Sequence, residues 1–208
     1  MISFEQLTFL EEIKPKVPSG DIEYEIYTGL IYNSQKVCIK KYKRKAKVQD
    51  SKLIREAKRL SSLNNPNIVM FMGLSLEKDF IYQISEFMQE GSVFDQVHAK
   101  KKLSMHNMRN MFELLESVAK GMNYLHGLKK IHGNLNSTSI LIDEDWNYKI
   151  SDFGFSKLRE RCHRLKRSKV SCYESPYWFA PEIFRGERFG PNCDVYSFGI
   201  LLWYTFIY

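Results

Sequence analysis

The sequence lacks the features that mark zinc-binding and secreted proteins. None of its four cysteines, Cys38, Cys162, Cys172 and Cys193, forms a CxxC pair, and no histidine cluster stands at zinc spacing. The N-terminal MISFEQLTFLEEIK has acids where a signal peptide needs a basic start and an apolar run. Reduced thiols in a cytoplasmic protein are therefore the simplest expectation.

Long apolar runs are also missing. The most apolar segment, VYSFGILLWYTFIY at residues 195–208, is too short and too interrupted to predict a membrane span, so a buried helix is the better interpretation. Internal repeats and low-complexity linkers are absent as well. A chain of 208 residues, 44% hydrophobic and 26% charged, is long enough for one large domain or two small lobes.

The charge is unbalanced towards the basic side. The formal net charge is +7, and two clusters, Lys40–Lys47 and Lys157–Lys169, carry much of the excess. Neither cluster has the regular aromatic interleaving of a nucleic-acid groove, so nucleic acid is not an expected partner. Two interpretations of Lys157–Lys169 stay open: a docking surface for an acidic protein partner or an anionic lipid, or a solvated loop.

Apolar periodicity predicts strands in the first half of the chain and helices in the second. The strand-like segments are LTFLEEIK, EYEIYTGLIY, KVCIKKY, IVMFMGLSLE and FIYQISEFM, with the helical SKLIREAKRLSSL between the third and the fourth. NMRNMFELLESVAKGMNYLHGL predicts a long amphipathic helix, and SILIDEDWNYKIS predicts two short strands around a turn. Strands first and helices later favour an α+β fold with two lobes that meet near Ser85–Ser92.

Several motifs stand in one order along the chain. They are VCIK at Val37–Lys40, Glu56 on the next helix, DFG at Asp152–Gly154, APE at Ala180–Glu182 and DVYSFGILLW from Asp194. In this order and at this spacing, the chain resembles the protein kinase family over nearly all its length. ISFEQLTFLEEI, SEFMQEGSV and PYWFAPEIF look most like the tyrosine-kinase-like group.

The resemblance implies one kinase-like domain over residues 1–208, with a bilobal α+β fold. It implies a β-rich N-lobe at residues 1–88 and a mainly helical, incomplete C-lobe at residues 89–208, because the sequence stops at Tyr208 before the family's last helices. ATP and Mg²⁺ are the cofactors that the resemblance implies, with Lys40 on the α- and β-phosphates. Glu56 would orient Lys40 through an ion pair, and Asp152 would ligate Mg²⁺.

The resemblance also places the adenine ring between the lobes. The backbone of Glu86 and Met88 would face the purine, and Ile26, Cys38 and Leu141 would enclose it. Cys38 replaces the alanine of related kinases and adds a sulfur where a methyl group is usual. Ordinary core packing is an equally consistent interpretation of the apolar members of this set.

The glycine-rich loop of the family is degraded in this sequence. Counting back from IYTG, its three glycine positions fall on Ser19, Asp21 and Tyr24. Glycine allows the backbone to approach phosphates closely because it has no Cβ, and the bulk of Tyr24 opposes that approach. The carboxylates of Asp21, Glu23 and Glu25 repel an anionic ligand, so weak or absent ATP binding is expected.

The catalytic loop departs further from the family in the segment HGNLNSTS at residues 132–139. Asn134 stands where kinases have the aspartate that accepts the substrate's hydroxyl proton, and Asn136 stands where they have a phosphate-neutralising lysine. Ser139 replaces the asparagine that holds the second Mg²⁺. His132 is expected to pack in the core, as the equivalent histidine does in kinases.

Three functional hypotheses follow. The first is a catalytically inactive pseudokinase that serves as a signalling scaffold or switch, because three catalytic positions are lost together. The second is an active serine/threonine kinase, which the retained Lys40, Glu56 and Asp152 keep open. The third is a truncated product that does not fold alone, which a cooperative melting transition would oppose.

Overall fold

The computed structural model describes residues 1–13, 24–44, 50–99, 108–153, 176–185 and 190–207. It divides into two compact units, the first formed by Met1–Asn64 and Val69–Phe87, the second by Asn65–Ile68 and Met88–Tyr208. The short segment Asn65–Ile68 belongs to the second unit because the Asn67 carbonyl accepts a hydrogen bond of 2.9 Å from the Ile150 N–H.

Met88 is the first residue of the longer segment of the second unit. The lobe boundary after Met88, which the resemblance implies, stays a prediction. The Met88 carbonyl accepts a hydrogen bond of 3.2 Å from the N–H of Gly91, in the same unit. Gly91 has a φ of +80°, a conformation that glycine adopts readily, so the chain can turn tightly there.

A five-stranded antiparallel sheet forms the centre of the first unit. Its strands are β1 (Leu7–Ile13), β2 (Tyr24–Ile31), β3 (Gln35–Lys43), β4 (Phe71–Leu76) and β5 (Phe80–Glu86), in the spatial order β1-β2-β3-β5-β4. One helix, α1 (Asp50–Ser61), connects β3 to β4 and buries Leu53, Ala57 and Leu60. The alternating apolar pattern predicts each of these strands correctly, and the helical spacing predicts α1 correctly.

The two faces of this sheet have different roles. Val37 and Ile39 of β3 point into a buried cluster with Tyr82 and Ile84 of β5. Because successive side chains of a strand point to opposite faces, Cys38 and the remaining alternate residues lie on the other face. One sheet face therefore carries this buried cluster, and the other carries Cys38 and Lys40.

The N-terminal residues complete that core. The N–H of Ile2 donates to the carbonyl of Leu74 at 3.0 Å, and the Ile2 side chain is buried against Gly73. A Cβ added at Gly73 would lie 2.3 Å from the Ile2 Cδ1 atom, closer than nonbonded carbon atoms can approach. Glycine at this position of β4 therefore makes the space that Ile2 fills.

The second unit is mainly helical. Within the described residues, its strands and α-helices are β6 (Gly91–Ser92), α2 (Met108–Gly127), β7 (Ile140–Ile142), β8 (Tyr148–Ile150), α3 (Pro181–Phe184) and α4 (Pro191–Ile207). Two short helices of other types lie at Asp95–Ala99 and Pro176–Trp178. Helix α2 buries one face, as predicted, through Met111, Leu114, Leu115, Val118 and Met122. The predicted α+β, kinase-like fold is therefore confirmed. Among the helices of the described ranges, none is both long and apolar enough to cross a membrane.

Helix α4 contains the most apolar segment of the sequence, and it is only partly buried. Leu201 and Tyr204 are buried, but Trp203 is 61% exposed and Phe206 is 68% exposed. The expectation of a buried helix therefore holds for one face of α4 only. The polar Asp194, in contrast, is almost fully buried on the inner face of the same helix.

Candidate functional site

Three residues that the resemblance assigns to a nucleotide lie together on one face of the first sheet, opposite to the face of Val37 and Ile39. Ile26 of β2 lies directly opposite Lys40 of β3, and Cys38 lies opposite Ser85 of β5. Residues that are paired across antiparallel strands share a face, and so do residues two apart along a strand. Strand register alone therefore brings Ile26, Cys38 and Lys40 together.

Lys40 also contacts an aromatic ring of the same unit. Its Nζ atom lies 5.6 Å from the centroid of the Tyr24 ring. On α1, the Glu56 carboxylate lies 3.5 Å from the guanidinium of Arg59. The ion pair between Lys40 and Glu56 stays a prediction.

Glu86 uses both its backbone and its side chain inside the first unit. Its N–H donates to the Met70 carbonyl at 3.0 Å, and its Oε1 accepts from the Met70 N–H at 2.7 Å. Glu86 lies one residue before the end of the first unit, and Met88 begins the longer segment of the second unit. Their contact with a purine stays a prediction.

A buried carboxylate anchors the start of the loop His132–Ser139, which we call the 132–139 loop. Asp194 of α4 is 2% exposed. Its Oδ2 accepts from the His132 N–H at 2.9 Å, and its Oδ1 accepts from the Gly133 N–H at 2.7 Å. The Nε2 atom of His126, at the end of α2, lies 2.9 Å from Oδ2. One side chain therefore satisfies two backbone donors and joins α2, α4 and the loop.

The neighbouring Cys193 is a structural thiol. Burial raises its pKa to about 12, and the negative charge of Asp194 acts in the same direction. The thiol is therefore protonated at neutral pH, with its Sγ atom 3.9 Å from the Asp194 Oδ1. A buried, protonated thiol is a poor nucleophile, because the thiolate is the reactive form.

His132 is fixed in one tautomer inside the core. Its ring is completely buried, and its Nδ1 accepts a hydrogen bond of 3.1 Å from the N–H of Asn134. The other ring nitrogen, Nε2, lies 2.8 Å from the Ser151 carbonyl, which can only accept. These hydrogen bonds assign a neutral imidazole with its proton on Nε2. The burial of the ring confirms the predicted core position of His132.

Asn136 holds the 132–139 loop together through both ends of its amide. Its Nδ2 donates to the carbonyl of Asn134 at 3.2 Å and to the Oδ1 of Asn134 at 3.3 Å. Its Oδ1 accepts from the Thr138 N–H at 2.8 Å, from the Thr138 hydroxyl at 2.6 Å and from the Ser139 N–H at 3.2 Å. The Asn136 side chain is buried, so these bonds are screened from water.

Ser139 forms the remaining hydrogen bonds of this network, to Asn136 and to Ser151. Its hydroxyl donates to the Asn136 carbonyl at 2.9 Å and accepts from the Asn136 N–H at 3.0 Å. Its own carbonyl accepts from the N–H of Ser151 at 2.8 Å and from the Ser151 hydroxyl at 3.0 Å. Ser139 is 1% exposed, and its hydroxyl is hydrogen-bonded within the loop. Its contact with Mg²⁺ stays a prediction.

Leu141 and Asp152 lie on either side of β8 in the sequence. Leu141 of β7 is half-buried between two fully buried neighbours, Ile140 and Ile142, so it points away from the core that they fill. Asp152 has a φ of +63°, the left-handed conformation that few residues other than glycine adopt. Aspartate is one of the residues that tolerate it, and such conformations concentrate at functional sites.

Some of the predicted positions lie outside the described residues. These are the glycine-loop positions Ser19, Asp21 and Glu23, and the basic segment Lys157–Lys169.

The comparison with known proteins agrees with the fold and with the order of the motifs. The family model described as protein tyrosine and serine/threonine kinase matches residues 19–208. This chain belongs to the protein kinase family. A probable serine/threonine-protein kinase of Dictyostelium discoideum is 37% identical over 205 residues, which is 97% of this chain and 21% of that protein.

Further kinases from other organisms are similar to the same region. The serine/threonine-protein kinase CTR1 of Arabidopsis thaliana is 33% identical over 155 residues, which is 74% of this chain and 18% of that protein. The tyrosine-protein kinase csk-1 of Caenorhabditis elegans is 31% identical over 175 residues, covering 84% of this chain and 32% of that protein. The chain thus spans about a third or less of the length of each of these kinases.

Two residues of this kinase domain were not singled out for a role by the sequence. Asp194 is the first residue of the DVYSFGILLW motif, and His126 lies in the segment that forms the end of α2. An acidic residue among apolar helix positions is a signal for Asp194, since a buried carboxylate needs hydrogen-bond donors. No comparable signal marks His126, because its partner lies 68 positions away along the chain.

Proposed function

We propose that this kinase domain does not transfer phosphate efficiently and that it acts as a scaffold or switch through protein partners. The observation that carries the proposal is the closed hydrogen-bond network of the 132–139 loop. Asn134, Asn136 and Ser139, which stand at three positions where the family has catalytic groups, make hydrogen bonds with one another. The loop is thereby stabilised as a structural element.

The chemistry of Asn134 supports this function. A carboxylate at this position would accept the proton of a substrate hydroxyl, whereas an amide cannot act as a base at neutral pH. General base catalysis contributes about 10²–10⁴-fold to a rate. The Asn134 Oδ1 is in addition an acceptor for the Asn136 Nδ2 at 3.3 Å.

Of the two residues at the metal-binding positions, Asp152 fits a Mg²⁺ ion and Ser139 does not. Asp152 retains a carboxylate, the ligand that Mg²⁺ prefers, and it would hold one ion as the resemblance implies. The Ser139 hydroxyl does not fit a second ion, because it is buried and already donates and accepts a hydrogen bond. We therefore propose that ATP and Mg²⁺ bind weakly or not at all.

An active serine/threonine kinase is the second candidate. The retained Lys40, Glu56 and Asp152 favour it, as do the names of relatives such as the probable serine/threonine-protein kinase of Dictyostelium discoideum. Kinase catalysis depends mainly on positioning and charge stabilisation, so a loop without its base can keep a residual rate.

The partner class is part of the proposal. The basic segment Lys157–Lys169 fits an acidic protein surface or an anionic lipid headgroup, and the cytoplasm is the expected location.

Phosphate transfer from labelled ATP tests the proposal. The purified 208-residue chain is incubated with Mg²⁺ or Mn²⁺ and a generic protein substrate, beside the variants Asp152→Asn and Asp79→Asn. Asp79 is an exposed carboxylate in the turn before β5, so Asp79→Asn is a matched control for the chemical change. We expect all three proteins to give the same background label, because the loop provides no base.

A cooperative melting transition for each protein must accompany that result, since it shows that the chain is folded. Label that appears with the native chain and with Asp79→Asn, but not with Asp152→Asn, would establish the active-kinase alternative.

A further inference from the structure

Tyr24 is held in place on the face of the first sheet that carries Lys40. It is the first residue of β2 and lies opposite Tyr42 of β3, with ring centroids 5.4 Å apart and an angle of 38° between the planes. The hydroxyl of Tyr42 donates to the Oε1 of Gln83 on β5 at 3.2 Å. The Tyr24 ring therefore rests on a partner ring that is itself tied to the next strand.

The same face brings the Tyr24 ring over the ammonium group of Lys40. Ile26 is paired with Lys40, and Tyr24 precedes Ile26 by two residues, so the Tyr24 and Lys40 side chains are diagonal neighbours. The distance of 5.6 Å between Nζ and the ring centroid lies within the range of a cation–π interaction, about 6 Å.

This contact opposes the binding of an anion at Lys40. A phosphate group that reaches the ammonium has to displace the aromatic face, and the ring also occupies part of the space around Nζ. We propose that Tyr24 sets the nucleotide affinity of this domain by covering Lys40. The inference rests on the proposed function in one respect, the assignment of Lys40 to the phosphates of ATP.

Titration of the 208-residue chain with a fluorescent ATP analogue tests the inference. The variants are Tyr24→Gly, Tyr24→Ser, Tyr24→Phe, Lys40→Met and the double variant Tyr24→Gly/Lys40→Met. Tyr32→Ser is the matched control, because Tyr32 is an exposed tyrosine at the tip of the β2–β3 hairpin. Thermal melting identifies any variant that does not fold, and Tyr24→Ser replaces Tyr24→Gly if glycine destabilises β2.

The expected result is a gain in affinity that depends on Lys40. Tyr24→Gly and Tyr24→Ser should bind the analogue about fivefold to tenfold more tightly than the native chain, the change that corresponds to loss of one cation–π contact. Tyr24→Phe keeps the ring and should reproduce the native affinity, and Tyr32→Ser should do the same. The double variant should show no gain over Lys40→Met.

Three outcomes would overturn the inference: unchanged affinity in folded Tyr24→Gly and Tyr24→Ser, a gain that persists without Lys40, or no binding by any variant. The first two leave the proposed function untouched, because phosphate transfer is measured separately, and the third overturns this inference while agreeing with the proposed weak or absent ATP binding. Conversely, phosphate transfer by the native chain would refute the proposed function and leave the Tyr24 inference standing.

Discussion

Replacement of Asp194 by alanine should lower the free energy of unfolding by about 3–5 kcal/mol. The carboxylate accepts hydrogen bonds from the N–H groups of His132 and Gly133, and His126 lies within hydrogen-bond distance. Alanine leaves the two backbone donors without their acceptor at a buried position, and each buried, unpaired donor costs about 1–3 kcal/mol. Urea unfolding measures the change as a shift in the midpoint.

Two variants serve as controls for this prediction. Asp194→Asn keeps the shape and one carbonyl oxygen, so it should lie between the native chain and Asp194→Ala. Asp79→Ala removes an exposed carboxylate and should change the stability by less than about 0.5 kcal/mol. An Asp194→Ala chain as stable as Asp79→Ala would show that Asp194 does not anchor the loop.

The second large effect is expected at Asn136. Asn136→Ala removes an amide that donates to Asn134 and accepts from Thr138 and Ser139. We expect a loss of about 2–3 kcal/mol, because the Thr138 and Ser139 N–H groups lose their side-chain acceptor at a largely buried site. Differential scanning calorimetry or urea unfolding would measure the loss.

A second variant at this position, Asn136→Lys, introduces the residue that active kinases have there. Lysine has three donors and no acceptor, so it cannot receive the N–H groups of Thr138 and Ser139. It should therefore destabilise the chain nearly as much as alanine does. Thr138→Val removes a single hydroxyl from an exposed residue and should cost about 1 kcal/mol or less. Native stability in Asn136→Lys would contradict the structural role of Asn136.

The sequence predicts the strands and the helices of this domain well, because their periodicity is local. Alternation in KVCIKKY is enough to separate Cys38 and Lys40 from Val37 and Ile39, and the structure has these pairs on opposite faces. The family motifs, at characteristic spacing, likewise predict the kinase-like fold.

The contacts of the loop are much less predictable. Asn134 and Asn136 can be recognised as substitutions from the sequence, but their mutual hydrogen bonds depend on the backbone turn through Thr138. The contacts of Asp194 with His132 and His126 join residues 62 and 68 positions apart, and no local pattern encodes them. The apolar segment of α4 likewise does not show which of its side chains are covered, since Leu201 is buried and Trp203 is exposed.

Amide hydrogen exchange in the 132–139 loop tests most directly whether the loop is closed by its own side chains. The N–H groups of Asn136, Thr138 and Ser139 all donate inside the loop. The prediction is slow exchange at these three amides, unchanged when Mg²⁺ and ATP are added. Exchange at the rate of an unstructured peptide, or protection that appears only with Mg²⁺ and ATP, would contradict the account and indicate a loop that is open for catalysis.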